Sequence, residues 1–199
     1  MSSAESASQI TQSKLRAAGR IARANLSDRN RYIASEKIAE KVIRSNWFQR
    51  ALFVACYLST PDEVATWTII QRAWHMKKRI FAPVLKKNDV MQFCELTTDT
   101  DIRTNQYGLA EPLSGEFIAP RVLDIVITPV VAFDDIGNRV GMGGGYFDRT
   151  FSFLHGRKYL FHPKLIGVAF DCQKVEEIVP NPWDIRLFDT ISETSQDIS

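Results

Sequence analysis

The sequence has little of what marks a secreted, membrane-embedded or metal-clustered protein. Its 199 residues include three cysteines, Cys56, Cys94 and Cys172. They are far apart, odd in number and lack a Cys-x-x-Cys pair, which argues against a disulfide framework or a structural zinc site. Cys56 and Cys94 lie in apolar, strand-like runs and read as small buried hydrophobes. That usage suits a reducing compartment, and the cytoplasm is the expected location. No apolar run approaches the roughly 20 residues that span a bilayer. The segment Met1–Gln9 has neither the basic nor the apolar region of a signal peptide, so it reads as a frayed end. His75, His155 and His162 show no metal-ligand spacing. Charge is also scarce in the net: the formal value is +2. No strong field draws the chain to a nucleic acid or an anionic membrane, and neither is expected as a partner.

What is present is core-forming material. Apolar residues make up 45% of the chain, and its length suits one domain. The expected organisation is a disordered stretch at 1–10, a single domain at 11–191 and a disordered tail at 192–199. Thr11 to Asn25 reads as a cation-rich helix, and Ser27 as the N-cap of a second. Ala51–Leu58 is a buried strand, followed by the polar loop Ser59–Glu63. Thr66 caps a helix running to about Met76, on which Trp67 and Trp74 share a face as core residues. Arg79–Leu85, Leu123–Pro129 and Lys164–Phe170 are further strands, Val90–Leu96 an edge strand or hairpin arm, and Tyr146–Leu154 a helix. Thr97–Pro120 is long and irregular. Strands alternating with helices predict an α/β fold, a single three-layer αβα domain with a mostly parallel central sheet. Ligands of such sheets gather at the C-terminal strand ends, where both the Pro61–Glu63 loop and a glycine-rich run fall.

That run carries the chemistry. Within Arg139-Val-Gly-Met-Gly-Gly-Gly-Tyr-Phe-Asp148, four glycines occupy five positions. Glycine lets backbone N–H groups converge on one anion without a Cβ in the way. A helix opening near Tyr146 adds unpaired N–H donors. Arg139 supplies a fork for phosphate, and Asp148 a carboxylate of the kind Mg²⁺ uses beside phosphate oxygens. No Gly-Lys-Ser/Thr follows, so the run is not a Walker A loop, and its spacing is not that of a dinucleotide-binding GxGxxG.

Arg139–Asp148 resembles the nucleotide loop of the 5-formyltetrahydrofolate cyclo-ligase (5,10-methenyltetrahydrofolate synthetase) family. Lys14-Leu15-Arg16, Tyr57–Thr66, Tyr107-Gly-Leu-Ala-Glu-Pro112, Val168–Cys172 and Pro182-Trp-Asp184 are similar, in the same order, to other segments of that family. The resemblance implies an enzyme that turns 5-formyltetrahydrofolate and ATP into 5,10-methenyltetrahydrofolate, ADP and phosphate with Mg²⁺, acting as a monomer on a mono- or polyglutamylated folate. It further implies that Lys14, Arg16, Arg139, Gly141, Gly143, Gly144 and Gly145 hold the nucleotide. Leu58, Glu63, Tyr107, Met142 and Tyr146 would contact the folate, Asp148 and Asp184 the Mg²⁺, with Arg139 and Tyr146 nearest the chemistry. Three positions differ within the family: some members carry Lys where Gly144 stands; the aromatic before Gly108, here Tyr107, is not always Tyr; and the family's N-terminal Lys often lies where this chain has Gln12, so Lys14 would reach in from another turn.

Read without the resemblance, Glu63 is equally a helix-cap residue, Asp184 a turn residue, Arg16 part of a solvated face and Tyr107 a packing aromatic. Two other functions fit the same residues: a folate or nucleotide binder without turnover, and a nucleic-acid binder using Lys14, Arg16, Arg20, Arg23, Arg29 and Arg31. The near-neutral net charge weighs against the last.

Overall fold

The computed structural model describes residues 3–86, 90–155 and 163–196. Helix α1 spans Ser3–Ala24, α2 Asp28–Arg44 and α3 Asn46–Arg50. Strand β1 is Phe53–Cys56, α4 is Trp67–His75, β2 is Arg79–Lys86 and β3 is Val90–Glu95. Short strands follow at β4 Ile102–Thr104, β5 Ala110–Pro112 and β6 Phe117–Ile118. Then come β7 Ile125–Pro129, β8 Ala132–Phe133, β9 Arg139–Val140, α5 Tyr146–Thr150, β10 Lys164–Val168 and β11 Asp189–Ile191.

The central sheet has seven strands in the order β11-β10-β7-β1-β2-β3-β6. The first five are parallel, and β3 and β6 add an antiparallel edge. The fold is α/β with a mostly parallel sheet. Side chains alternate across it with the period of two that pleating imposes. Val54, Ile80 and Ile127 face a core shared with α2, α3 and α4. Ala55, Phe81 and Val126 face the other core, closed by Phe151, Leu123 and Leu187. The two faces are covered unequally. Among the described residues, three helices lie on the first, whereas the second is covered by the short α5, irregular chain and the 3₁₀ turn Ser152–Leu154.

Several expected boundaries move. Helix α1 begins at Ser3, not Thr11. The first strand shortens to four residues, and the helix expected over Tyr146–Leu154 stops at Thr150 before its 3₁₀ turn. Thr66 stands at the N-cap of α4 but makes no side-chain cap; its hydroxyl donates to the Tyr57 carbonyl at 2.7 Å and ties the helix to the sheet. Trp67 is exposed and meets Trp74 edge-on at 5.5 Å, so the pair lies on the rim of the core. The irregular stretch after β3 holds the β4–β5 hairpin, pinned by Glu111: its buried carboxylate accepts from Arg103, Asn105 and the Leu85 N–H. Of the ends expected to lack order, residues 1–2 and 197–199 lie outside the described residues, as does His162. The described part of the tail is gripped by Lys41, whose ammonium donates to the carbonyls of Ser192, Glu193 and Ser195. Among the described residues, no helix is long and apolar enough to cross a membrane.

Candidate active site at the glycine loop

Strand order reverses beside β1: the chain runs from β1 to β2 on one side, then returns to place β7 on the other. An open parallel sheet binds ligands at such a reversal, outside the C-terminal strand ends. The chain leaving β1 there carries Tyr57, Leu58 and the loop to Glu63. The chain leaving β7 forms the β8–β9 hairpin and then the glycine loop. Between them lies a cleft of about 690 Å³.

The glycine loop is supported at both ends. At its start, the guanidinium of Arg139 is buried and donates to Asp148 Oδ1 at 2.9 Å and to the Ile185 carbonyl. Asp148 Oδ1 also accepts the Ile185 N–H at 3.0 Å. Underneath, Arg16 donates through Nε to the Gly141 carbonyl at 2.8 Å, and Arg20 approaches the Met142 carbonyl at 3.5 Å. Gly143 and Gly145 have φ of +104° and +65°, which L side chains rarely adopt. At Gly144 the obstacle is a neighbour: a Cβ there would lie 2.8 Å from the Tyr146 ring. Tyr146 in turn meets the Tyr107 hydroxyl at 3.3 Å, and Arg149 lies over its ring at 5.2 Å.

The opposite wall is built by the β1 loop. Glu63 is buried, accepts the Thr60 N–H at 2.9 Å and faces Arg23 at 3.7 Å. Arg23 binds the neighbouring Asp62 at 2.6 Å. Burial opposes the Asp62 charge, but hydrogen bonds from Thr60 and the Arg23 cation outweigh it and hold the carboxyl below its usual pKa. Burial, with Glu63 adding to it, pushes the Tyr57 phenol well above its usual value, and its O–H donates to the Val64 carbonyl at 3.0 Å. Arg16 is held somewhat below the ordinary guanidinium range by burial and by Arg20, with Asp184 opposing, and it stays a cation.

Of the residues expected in the site, Arg16, Leu58, Glu63, Tyr107, Arg139, Gly141, Met142, Gly143, Gly144, Gly145, Tyr146, Asp148 and Asp184 all line this cleft. Lys14 does not: it is exposed and absent from the lining. At about 100° per helical residue it points nearly opposite to Gln12. Gln12 takes the cleft position one turn before Arg16, donating to Asp184 Oδ2 at 2.8 Å. Gln12, Arg20, Asn105, Arg149, Asn181 and Trp183 also line the cleft and were not among the site residues expected from the sequence. The four-residue spacing of Gln12, Arg16 and Arg20 on a helix was the available signal.

The family-model comparison matches residues 8–193 to the 5-formyltetrahydrofolate cyclo-ligase family. The chain belongs to the 5-formyltetrahydrofolate cyclo-ligase family. It is 34% identical over 173 residues to the 5-formyltetrahydrofolate cyclo-ligase of Haemophilus influenzae, covering 85% of this chain and 90% of that one. Against the cyclo-ligase of Escherichia coli K12 it is 37% identical over 138 residues, 67% of this chain and 74% of the relative. The NMR structure of Aquifex aeolicus 5,10-methenyltetrahydrofolate synthetase superposes with a TM-score of 0.80 at 26% identity, covering 92% and 90% of the two chains.

In chemical terms, the cleft of this cyclo-ligase family member is lined by the cations Arg16, Arg20, Arg139 and Arg149 and by the glycine loop. Among the described residues no three His, Cys, Asp or Glu side chains cluster to hold a metal ion on their own. A Mg²⁺ shared with phosphate oxygens needs only one or two carboxylates, which Asp148 and Asp184 fit. Asp148 is held through Oδ1 by Arg139, and Asp184 through Oδ2 by Gln12 and Asn181.

Proposed function

We propose that the chain converts 5-formyltetrahydrofolate to 5,10-methenyltetrahydrofolate, consuming ATP and requiring Mg²⁺. The observation that carries the reading is the gathering of glycine loop, arginines, two carboxylates and Glu63 in one cleft of a chain belonging to this family. The formyl oxygen is a poor leaving group, so it must be activated. In the proposed sequence, that oxygen bonds to the γ-phosphorus and ADP leaves. N10 then attacks the activated carbon, losing its proton, and phosphate departs as the ring closes. Such a transfer asks the protein for alignment, charge neutralisation and exclusion of water, with little covalent chemistry of its own.

Backbone N–H groups of Gly141–Gly145 and the Arg16 and Arg139 guanidiniums would take the phosphates. Mg²⁺, held by Asp148 and Asp184, would neutralise the phosphate charge that the arginines leave. Glu63 would accept from the pterin, with Leu58, Met142, Tyr107 and Tyr146 packing on the folate. The enzyme is expected to act as a cytoplasmic monomer, on a mono- or polyglutamylated folate.

The test is the rise of methenyltetrahydrofolate absorbance, followed with ADP release, in mixtures lacking ATP, Mg²⁺ or folate in turn. Product must appear only in the complete mixture. Folded protein that binds the folate and releases no ADP is a binder without turnover, and the proposal fails.

A further inference from the structure

Helix α1 serves three parts of the cleft from one face. Gln12 donates to Asp184, Arg16 to the Gly141 carbonyl, and Arg23 pairs with Asp62 in the loop that carries Glu63. Gly19 stands among them and is buried. A Cβ at Gly19 would come 2.3 Å from the Val131 carbonyl oxygen, and 3.1 Å from both the Val131 carbonyl carbon and Cγ1. Ordinary contact between such atoms begins near ~3.5 Å, so any side chain would lift the helix by roughly 1 Å.

The carbonyl has no freedom to yield instead. The buried Gln173 amide donates to the Val130 carbonyl at 2.6 Å and to the Val131 carbonyl at 3.0 Å. The Val131 N–H donates to the Val140 carbonyl at 2.9 Å. Val131 is thus clamped on both sides, in the chain that leads through β8 and β9 into the glycine loop. Val140 is the residue next to Gly141, whose carbonyl Arg16 holds at 2.8 Å. A stand-off of about 1 Å carries that bond past the roughly 3.2 Å limit of a sound N–H···O contact.

We propose that Gly19 is a positioning residue for the nucleotide: its bare Cα sets how closely α1 docks on Val131, and so places Arg16 and Arg20 against Gly141–Gly143. The proposal rests on the reading that the glycine loop holds ATP. Local helix propensity opposes this choice of residue, since Gly costs about 1 kcal/mol relative to Ala inside a helix. Gly19→Ala therefore improves the helix as a helix while spoiling its docking.

The experiment compares wild type, Gly19→Ala, Arg16→Ala and the double variant. As a control, Gly115→Ala introduces a similar clash, 2.8 Å from the Glu95 carbonyl oxygen, away from the cleft. Thermal melts fix a temperature at which each is folded; ATP and folate kinetics and ADP calorimetry follow there. A displacement of this size is expected to lower kcat/KM for ATP by about 100-fold, with the KM for ATP rising more than that for the folate. Gly115→Ala keeps wild-type constants, and in the Arg16→Ala background Gly19→Ala adds little further loss. Wild-type kinetics in Gly19→Ala overturn the proposal. So does a shift confined to the folate KM, or an undiminished loss in the Arg16→Ala background. If Gly19→Ala does not fold, Arg16→Ala decides: a raised ATP KM supports the proposal, and an unchanged one leaves Gly19 nothing to position and refutes it. Wild-type protein that binds no nucleotide refutes the functional reading itself, before any variant is compared.

Discussion

Replacing Arg139 with Met removes one charge of a pair that the protein has folded largely out of water. The Arg139 side chain is 5% exposed and that of Asp148 22%. Breaking such a pair by deleting one partner costs about 3–5 kcal/mol, because the other charge is stranded. Asp148 keeps some access to water and the Ile185 N–H bond, so the lower end, about 3 kcal/mol, is expected. For a chain of this size, that lowers Tm by about 6–12 °C. Adding Asp148→Asn removes the stranded charge, so the double variant should melt above the temperature given by adding the two single losses. Arg139→Lys should not rescue fully. The guanidinium reaches Asp148 and the Ile185 carbonyl with two different N–H groups in a fixed fork, which a single ammonium does not reproduce. Thermal and urea denaturation of wild type and the four variants measures all of this. A single variant melting within about 2 °C of wild type, or strictly additive losses, refutes the view that this pair anchors the loop.

Gly144→Ala should force the Tyr146 ring away and forfeit its contacts to Tyr107 and Arg149, together worth about 1–2 kcal/mol. That corresponds to a rise of about 5–30-fold in the folate KM in steady-state kinetics; an unchanged KM counts against Tyr146 as a folate contact. Asp189 has an unpartnered buried Oδ2, and burial raises its pKa. A carboxyl whose folded pKa is raised loses stability as pH climbs through the interval from its unfolded value to its folded one. Asp189→Asn should therefore melt above wild type at neutral pH, with the gain fading toward acid; equal melting at neutral pH contradicts this. Lys41→Met releases three carbonyls of the C-terminal turn. Limited proteolysis should cut there sooner than in wild type, with turnover unchanged; equal cleavage rates would show that Lys41 does not hold the tail.

The central strands were legible because each is a continuous apolar run, as a strand covered on both faces must be. The site's main segments were legible because glycines, charges and strand ends coincided. Other features depend on partners far away in sequence. Lys14 matched a family pattern, but helix geometry turns it to solvent and gives its place to Gln12. Arg139 and Asp148 read as two separate ligands; their mutual bond exists only once the loop closes and brings Ile185 alongside. Thr66 had the right chemistry for a cap, and its hydroxyl went to the Tyr57 carbonyl because the helix packs beside the end of β1. Nothing in the sequence sets Gly19 apart from any helix-weakening glycine, because the Val131 carbonyl comes against it only in the folded chain.

The docking of α1 also has a consequence for synthesis. Arg16 and Gly141 are 125 residues apart, and Gln12 and Asp184 are 172 apart. A ribosome releases α1 well before these partners, which emerge only after the intervening stretches have been made. Throughout elongation the helix must wait with its cationic face unmatched, and contacts closing so long a stretch form late. Chains truncated before the Asp184 loop should be unable to assemble this cleft, so ligand binding there would report the arrival of that loop as well as the folding of the segments before it.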